Sequence, residues 1–513
     1  MVRTTYAGTN THACGWRAYT RGGAFLKTEP APRYIYHPMQ VKTFYGWHCD
    51  LPVGEAGTWG IKTEELRSVW RKSLGIGDRK ALGILIESQA GQEEAMLRLN
   101  KFRFLKTMSK ALDLNMEGLE DHHRKVAYIS YRLGEKLNLT KAEKGDLVYL
   151  GLIHDIGVLR WDPRDEKIRL IAENEFAHCR RGALFLQDSY FDRYARYIFS
   201  HHDHYTGPNP SGLAGEEIPL LSRILFLADR LAVHFAPGKY LFEAARTYKK
   251  VLKNEKIFDP SLIEILCELM AVEEFWLTLE DLDILNLRLE EIGREIGDDE
   301  IITDARDIMC LGGFFAKLVD HKSPFTFLHS QLVGRFAGYL GKMLNFPETE
   351  SVFFEIAGYL HDIGKMAVPD QILEKPGALT DEEFLHIKRH PFYTYYLLHP
   401  LFPLNVVRAA AYHHEKLDGS GYPFKKRGEE LGLPERLLAV IDIFVALMED
   451  RPYRKGLGYR ELKNILIDLV AQNKIDGQMV KIVLDNYPEL CDIKAKQQEL
   501  CILRSVCRGG SQK

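Results

Sequence analysis

Two His-Asp pairs carry the clearest chemical signal in this 513-residue chain. LGLIHDIGV at 150–158 resembles AGYLHDIGK at 357–365, so His154 and Asp155 stand 207 residues before His361 and Asp362. His122 and His329 are also 207 apart. His178 and His390 are 212 apart, as are His201-His202 and His413-His414, and Asp229 and Asp442 are 213 apart. Histidine is only 19 of 513 residues, so five of them recurring in one order with two aspartates marks two copies of one module. A single such histidine would read as a satisfied core residue; the set does not.

The donors are imidazole and carboxylate with no thiolate. That mixture suits iron, manganese, zinc or nickel and disfavours a structural cysteine-type zinc site. Seven donors exceed the needs of one tetrahedral ion. A carboxylate such as Asp362 can bridge two ions, which leaves coordination positions open. Two ions about 3.5–4 Å apart are an arrangement used for in-line attack on phosphorus, so the chemistry points to hydrolysis of a phosphate ester or anhydride.

The elements that must position these donors are helices. ALDLNMEGLEDHHRKVAYISYRLGEKL repeats its apolar residues at three- and four-residue steps. Thr140 ahead of Glu143 predicts a capping box, and Thr380 opens a helix in the same way. PLLSRILFLADRLAVHF and ERLLAVIDIFVALMED are apolar nearly all round and predict buried central helices carrying Asp229 and Asp442. The expected fold is all-α: two tandem helical bundles, each with a buried His/Asp metal site. Residues 104–275 form the first repeat and 300–490 the second. An acidic connecting helix at 276–299 is open to pairing with its copy in a homodimer, and 491–513 make a tail. Residues 1–103 carry no functional signal; 1–36 are expected to lack order, and 37–103 to hold one or two helices.

Composition excludes several classes. Lys+Arg 68 against Asp+Glu 71 argues against a duplex nucleic-acid coat. The longest apolar stretch, Leu437 to Met448, contains Asp442 and is too short for membrane insertion. Eight cysteines without short paired spacing predict reduced thiols and a cytoplasmic protein.

His-Asp at the end of a buried helix resembles the signature of the HD metal-dependent phosphohydrolase superfamily. The second repeat adds HDIGKMAVPDQILEKPGALTDEE, IKRHP, HHEKLDGSGYP and DRPYR, and over nearly its whole length it is similar to an HD-GYP domain. The resemblance implies a phosphodiesterase acting on a cyclic dinucleotide, cyclic di-GMP first and cyclic GMP-AMP as the other substrate of such tandem architectures, with two divalent ions per site. Iron or manganese come first, zinc or nickel second. It implies that His329, His361, Asp362 and Asp442 hold one ion, and that Asp362, His390, His413 and His414 hold the other. Lys365 would reach a substrate phosphate. Asp418, Gly419, Gly421, Tyr422 and Pro423 would form the substrate loop, with Arg451 and Arg454 meeting phosphates.

Two departures stand out in the second repeat. Phe325 occupies the place of a glutamate that binds a third metal in some family members, so no third ion is expected unless Glu355 or another acid reaches in, and Val445 replaces a common aspartate. In the first repeat His122, His154, Asp155, His178, His201, His202 and Asp229 are retained. Val158 stands in place of the lysine, and HHDHYTGPNPSGL replaces the GYP loop. That repeat is expected to bind metal with altered or regulatory use. Two other readings compete: a phosphohydrolase for a different nucleotide, and a non-hydrolytic sensor of a cyclic dinucleotide or of redox state through a di-iron centre.

Overall fold

The computed structural model describes residues 98–114, 121–158, 175–187, 189–235, 255–297, 301–322, 328–375, 377–450 and 455–509. The expectations for residues 1–97, for Phe325 and for Arg451 and Arg454 fall outside the described residues.

The described chain is helical apart from one two-residue antiparallel pairing, in which β1 (Leu99–Asn100) lies against β2 (Ile301–Ile302), Leu99 opposite Ile302. The first repeat contains α1 (Lys101–Asp113), α2 (His122–Lys136), α3 (Lys141–Ile153), α4 (Glu175–Leu186), α5 (Ala195–Phe199) and α6 (Leu220–His234). It ends with α7 (Pro260–Met270), and α8 (Glu273–Glu280), which crosses its boundary at 275, leads to α9 (Leu282–Gly297). The second repeat follows with α10 (Ala305–Lys322), α11 (His329–Met343), α12 (Glu348–Leu360), α13 (Asp370–Leu373) and α14 (Asp381–Ile387). It continues with α15 (His390–Leu398), α16 (Leu404–Ala411), α17 (Leu433–Met448), α18 (Tyr459–Ala471), α19 (Gly477–Asp485) and α20 (Tyr487–Gly509).

Both capping boxes form as the sequence predicts. Thr140 Oγ1 accepts from the Glu143 amide while the Glu143 carboxylate accepts from the Thr140 amide, and Thr380 and Glu383 do the same at α14. Each such cap is worth about 1 kcal/mol. The segment read as one connecting helix is two. The chain leaves helical geometry at Asp281, whose carboxylate caps the amides of Asp283 and Ile284 and so starts α9 afresh. Helix α9 packs on the first repeat: Arg124 donates to Asn286 Oδ1 at 2.6 Å, and Gly293 lies flat against the Phe102 ring. At the other end α20 runs unbroken through residue 490, where a tail was expected to begin. No helix among the described residues is long and apolar enough to cross a membrane.

Repeated glycines explain how the helices come close enough to share ligands. A Cβ on Gly151 would stand 2.5 Å from Ala127 Cα, and one on Gly358 would stand 2.6 Å from Gly334 Cα. Helices α2 and α3, like α11 and α12, therefore touch backbone to backbone. The glycine of each HDIG motif works the same way: a Cβ on Gly157 would fall 2.1 Å from the His178 carbonyl oxygen, and one on Gly364 1.9 Å from that of His390. Alanine at either place would push the third histidine away from the His-Asp pair.

Candidate metal centres

In the second repeat, five elements converge on a buried cluster. His329 opens α11, and His361 and Asp362 follow the end of α12. His390 opens α15, His413 and His414 follow α16, and Asp442 sits in the middle of α17. The Nδ1 atoms of His361, His390 and His413 lie 2.8, 2.7 and 2.7 Å from the carbonyls of Gly358, Ile387 and Ala410. Donation of Nδ1–H to those carbonyls fixes each ring with Nε2 presented to the centre.

Asp362 divides the cluster. Its Oδ2 lies 3.2 Å from His361 Nε2 and 4.0 Å from His329 Nε2, while Oδ1 lies 3.3 Å from His390 Nε2 and 3.9 Å from His413 Nε2. His329 Nε2 is 3.0 Å from Asp442 Oδ1, and His390 Nε2 is 3.2 Å from His413 Nε2. Two groups result, His329–His361–Asp362 and His390–His413–His414, within each of which the donor atoms lie no more than 4.8 Å apart. His361 Nε2 and Asp362 Oδ1 are buried and lack a hydrogen-bond partner among the described residues. Such atoms cost free energy unless something binds them, and a divalent cation fits the donors present.

The electrostatics separate the two poles. Burial alone would raise Asp362, but the His361 and Lys365 charges hold it well below the ordinary carboxylate range. Burial pulls His329 down; the carboxylates of Glu449 and Asp442 overcome it and lift the imidazole to about 10. At the other pole burial dominates, taking His390 to about 4 and His413 to about 3 and leaving neutral rings that suit a metal.

At the rim, Lys365 Nζ is 2.5 Å from Asp362 Oδ2. The Tyr422 ring stacks on His414 with centroids 4.8 Å apart. Gly421 allows this approach, since a Cβ there would meet Glu415 Cα at 2.4 Å, and the Glu415 carboxylate accepts from the amides of Phe424 and Lys426 to hold the turn through Pro423. Gly419 takes the left-handed conformation at φ +79°. Asp418 pairs with Lys474 Nζ at 2.6 Å and accepts from the Ser420 amide at 2.9 Å, contacts that shape the loop. Glu355 is engaged by Arg335 and Tyr359, at 2.9 and 2.7 Å.

The first repeat brings its seven donors together in the same way. Asp155 Oδ2 faces His154 at 3.3 Å and His122 at 3.7 Å, while Oδ1 faces His178 at 3.2 Å and His201 at 3.9 Å. Asp229 Oδ1 is 3.0 Å from His122 Nε2. Three residues near the sites escaped sequence reasoning. Glu449 Oε2 lies 3.0 Å from His329 Nδ1. Arg230 lies against Asp229, 3.0 Å from Oδ2, and against the His202 ring. Cys179 joins His178, His201 and His202 in one donor group, a thiol beside the imidazole and carboxylate donors that the sequence offered. Its thiol is held well above the ordinary range by burial and by the nearby carboxylates, Asp155 first. Adjacent residues on a helix normally face apart, so the His178-Cys179 pair gave no spacing signal.

Residues 314–479 and residues 119–233 each match an HD-domain family profile. The chain is 29% identical over 400 residues to 3'3'-cGAMP-specific phosphodiesterase 1 of Vibrio cholerae, covering 74% of this chain and 90% of that protein. The chain belongs to the HD-GYP family. A second V. cholerae relative, 3'3'-cGAMP-specific phosphodiesterase 3, is 34% identical over 282 residues, 54% of this chain and 60% of that one. A cyclic di-GMP phosphodiesterase of Pseudomonas aeruginosa is 43% identical over 134 residues, 26% of this chain and 32% of that protein. The crystal structure of a V. cholerae cyclic GMP-AMP phosphodiesterase superposes with TM-score 0.54 at 24% identity, covering 77% of this chain and 98% of that one, so the fold is shared.

Proposed function

We propose that this chain is a cytoplasmic, metal-dependent phosphodiesterase that opens a cyclic dinucleotide, with catalysis in the second repeat. The observation carrying the reading is Asp362, whose two oxygens face two separate histidine poles. His329, His361, Asp362 and Asp442 hold one divalent ion; Asp362, His390, His413 and His414 hold the other. Iron or manganese are the first candidates, and the all-imidazole and carboxylate donor set of this repeat supports them. When bound, the ions supply Lewis-acid polarisation of a phosphate and activation of water. Lys365 neutralises charge that develops on the phosphate. Tyr422 offers a ring face to a base at the mouth, and Gly419 and Gly421 let the loop backbone approach.

The first repeat holds metal without the lysine and without the GYP loop: Val158 is buried where Lys365 stands in the second. A relative named for 3'3'-cGAMP matches over 400 residues, more than one repeat holds, which supports cyclic GMP-AMP beside cyclic di-GMP as substrate. The test is purified protein loaded with Fe(II), Mn(II) or Zn(II) and incubated with each cyclic dinucleotide, with products separated by chromatography. Linear dinucleotide or mononucleotide products support the reading, and the ratio of rates names the substrate. Binding without product would make the chain a sensor instead.

A further inference from the structure

Cys179 Sγ lies 3.7 Å from His178 Nε2 and 4.0 Å from His201 Nε2. His178 Nε2 is 3.3 Å from His201 Nε2 and 3.2 Å from Asp155 Oδ1. Donors at about 2.0 Å (nitrogen, oxygen) and 2.3 Å (sulfur) from a tetrahedral ion stand roughly 3.3–3.6 Å apart. The three edges that meet at His178 Nε2, to Asp155 Oδ1, His201 Nε2 and Cys179 Sγ, are 3.2, 3.3 and 3.7 Å and so near those of a tetrahedral cage, while His201 Nε2 stands slightly farther, at 3.9 Å from Asp155 Oδ1 and 4.0 Å from Cys179 Sγ.

The remaining histidine of this pole has a different neighbour. Arg230 Nη2 lies 3.3 and 3.4 Å from the two ring nitrogens of His202, and the same guanidinium is 3.0 Å from Asp229 Oδ2. A cation held against His202 opposes a second cation on that ring. The second repeat has neither feature: Pro391 stands at the position of Cys179, 212 residues on, and Ile443 at that of Arg230, 213 residues on.

We infer that the first repeat holds a zinc-class ion in a closed site made of Asp155, His178, Cys179 and His201, so that this chain carries two chemically distinct kinds of metal centre. The inference rests on the reading that both repeats bind metal. On binding, the Cys179 thiol gives its proton to solvent and the thiolate takes a coordination position. Four protein donors fill a tetrahedral sphere and leave no position for water, which makes this pole structural and not hydrolytic. Thiolate also favours zinc over manganese, the reverse of the hard donor set in the second repeat.

The test uses the full chain carrying Asp362→Ala, so that the first repeat supplies the signal. Loaded with Co(II), this protein should show a thiolate-to-cobalt charge-transfer band in the near ultraviolet, and Cys179→Ser should abolish the band. Zinc affinity should fall more than about tenfold in Cys179→Ser, since even loss of an outer-shell partner costs that much. Zinc-edge X-ray absorption of the Asp362→Ala protein should find sulfur in the coordination shell, and this reading needs no cysteine variant to fold. Metal that is lost on Asp155→Ala, yet shows no sulfur and no charge-transfer band, overturns the closed site and leaves the metal-binding reading standing. If Asp155→Ala removes no metal, that reading fails and the closed site fails with it.

Discussion

Lys365 directs its ammonium at the same Asp362 oxygen that faces His361, 2.5 Å from it. A divalent ion bound there would compete for that oxygen and turn the lysine toward a phosphate. Lys365→Ala should therefore lower turnover by about 10²-fold, the typical loss of one charge-stabilising donor, with metal content unchanged. Elemental analysis decides the point: metal lost together with activity would make Lys365 a support for the ligands.

Asp362→Ala should abolish hydrolysis. Both poles of the second repeat lose a shared donor at once, and units of this kind cost several powers of ten when broken. A variant retaining more than about a tenth of the wild-type rate contradicts the two-ion reading.

Glu449 acts through His329. Its carboxylate accepts from Nδ1 at 3.0 Å, orienting the ring so that Nε2 faces Asp442. Glu449→Gln should weaken metal binding in the second repeat by about 10- to 100-fold, read by competition with a chelator. Turnover at saturating metal should recover most of the loss; if it does not, Glu449 has a role beyond orienting the ring.

The ligands were legible because histidine is scarce and recurs in register, and because HDIG carries its own glycine for close packing. What lay hidden lacked a counterpart. Glu449 corresponds to Ala236 in the first repeat, and Cys179 to Pro391 in the second, so neither could appear in a repeat comparison. Asp418 illustrates another limit: its place in the DGSGYP loop gave no sign of its tertiary contact with Lys474, 56 residues away. The break at Asp281 was hidden by strong helix formers on both sides. Only the geometry of its cap reveals it.

Lys322 links stability to pH. It is buried at the end of α10, donates to the Met366 carbonyl at 2.9 Å and lies 3.4 Å from Asp370 Oδ1, bracing the turn that carries Lys365. Burial pulls its amine from 10.5 down to about 8, against the opposing pull of Asp370. Between those two values the unfolded chain binds more protons than the folded one, so raising the pH through this window stabilises the fold. At roughly 1.4 kcal/mol per pKa unit, the full relief approaches about 3 kcal/mol. Urea denaturation of wild type and Lys322→Met should therefore give a stability difference that shifts toward the wild type between pH 7 and pH 10. A difference that stays constant across that range rules out this titration.

The division of labour between the repeats gives the last expectation. Six of the seven donors of the first repeat are buried and the seventh, His178, is partly buried, and buried histidines and carboxylates would cost several kcal/mol without a partner. Metal is the partner that fits, whereas the lysine and the GYP loop expected to meet a cyclic dinucleotide are missing from this repeat. Asp155→Ala should lose about half of the bound metal and unfold at a lower temperature, because an ion that binds only the folded state no longer contributes its binding free energy. Phosphodiesterase activity should be largely retained, since the second repeat keeps its own ligands. Metal analysis and turnover must be measured on the same preparation. Activity that vanishes while the second repeat keeps its metal would make the first repeat an obligate activator or a second catalytic centre. Wild-type protein with metal in the second repeat alone would make the first a structural relic.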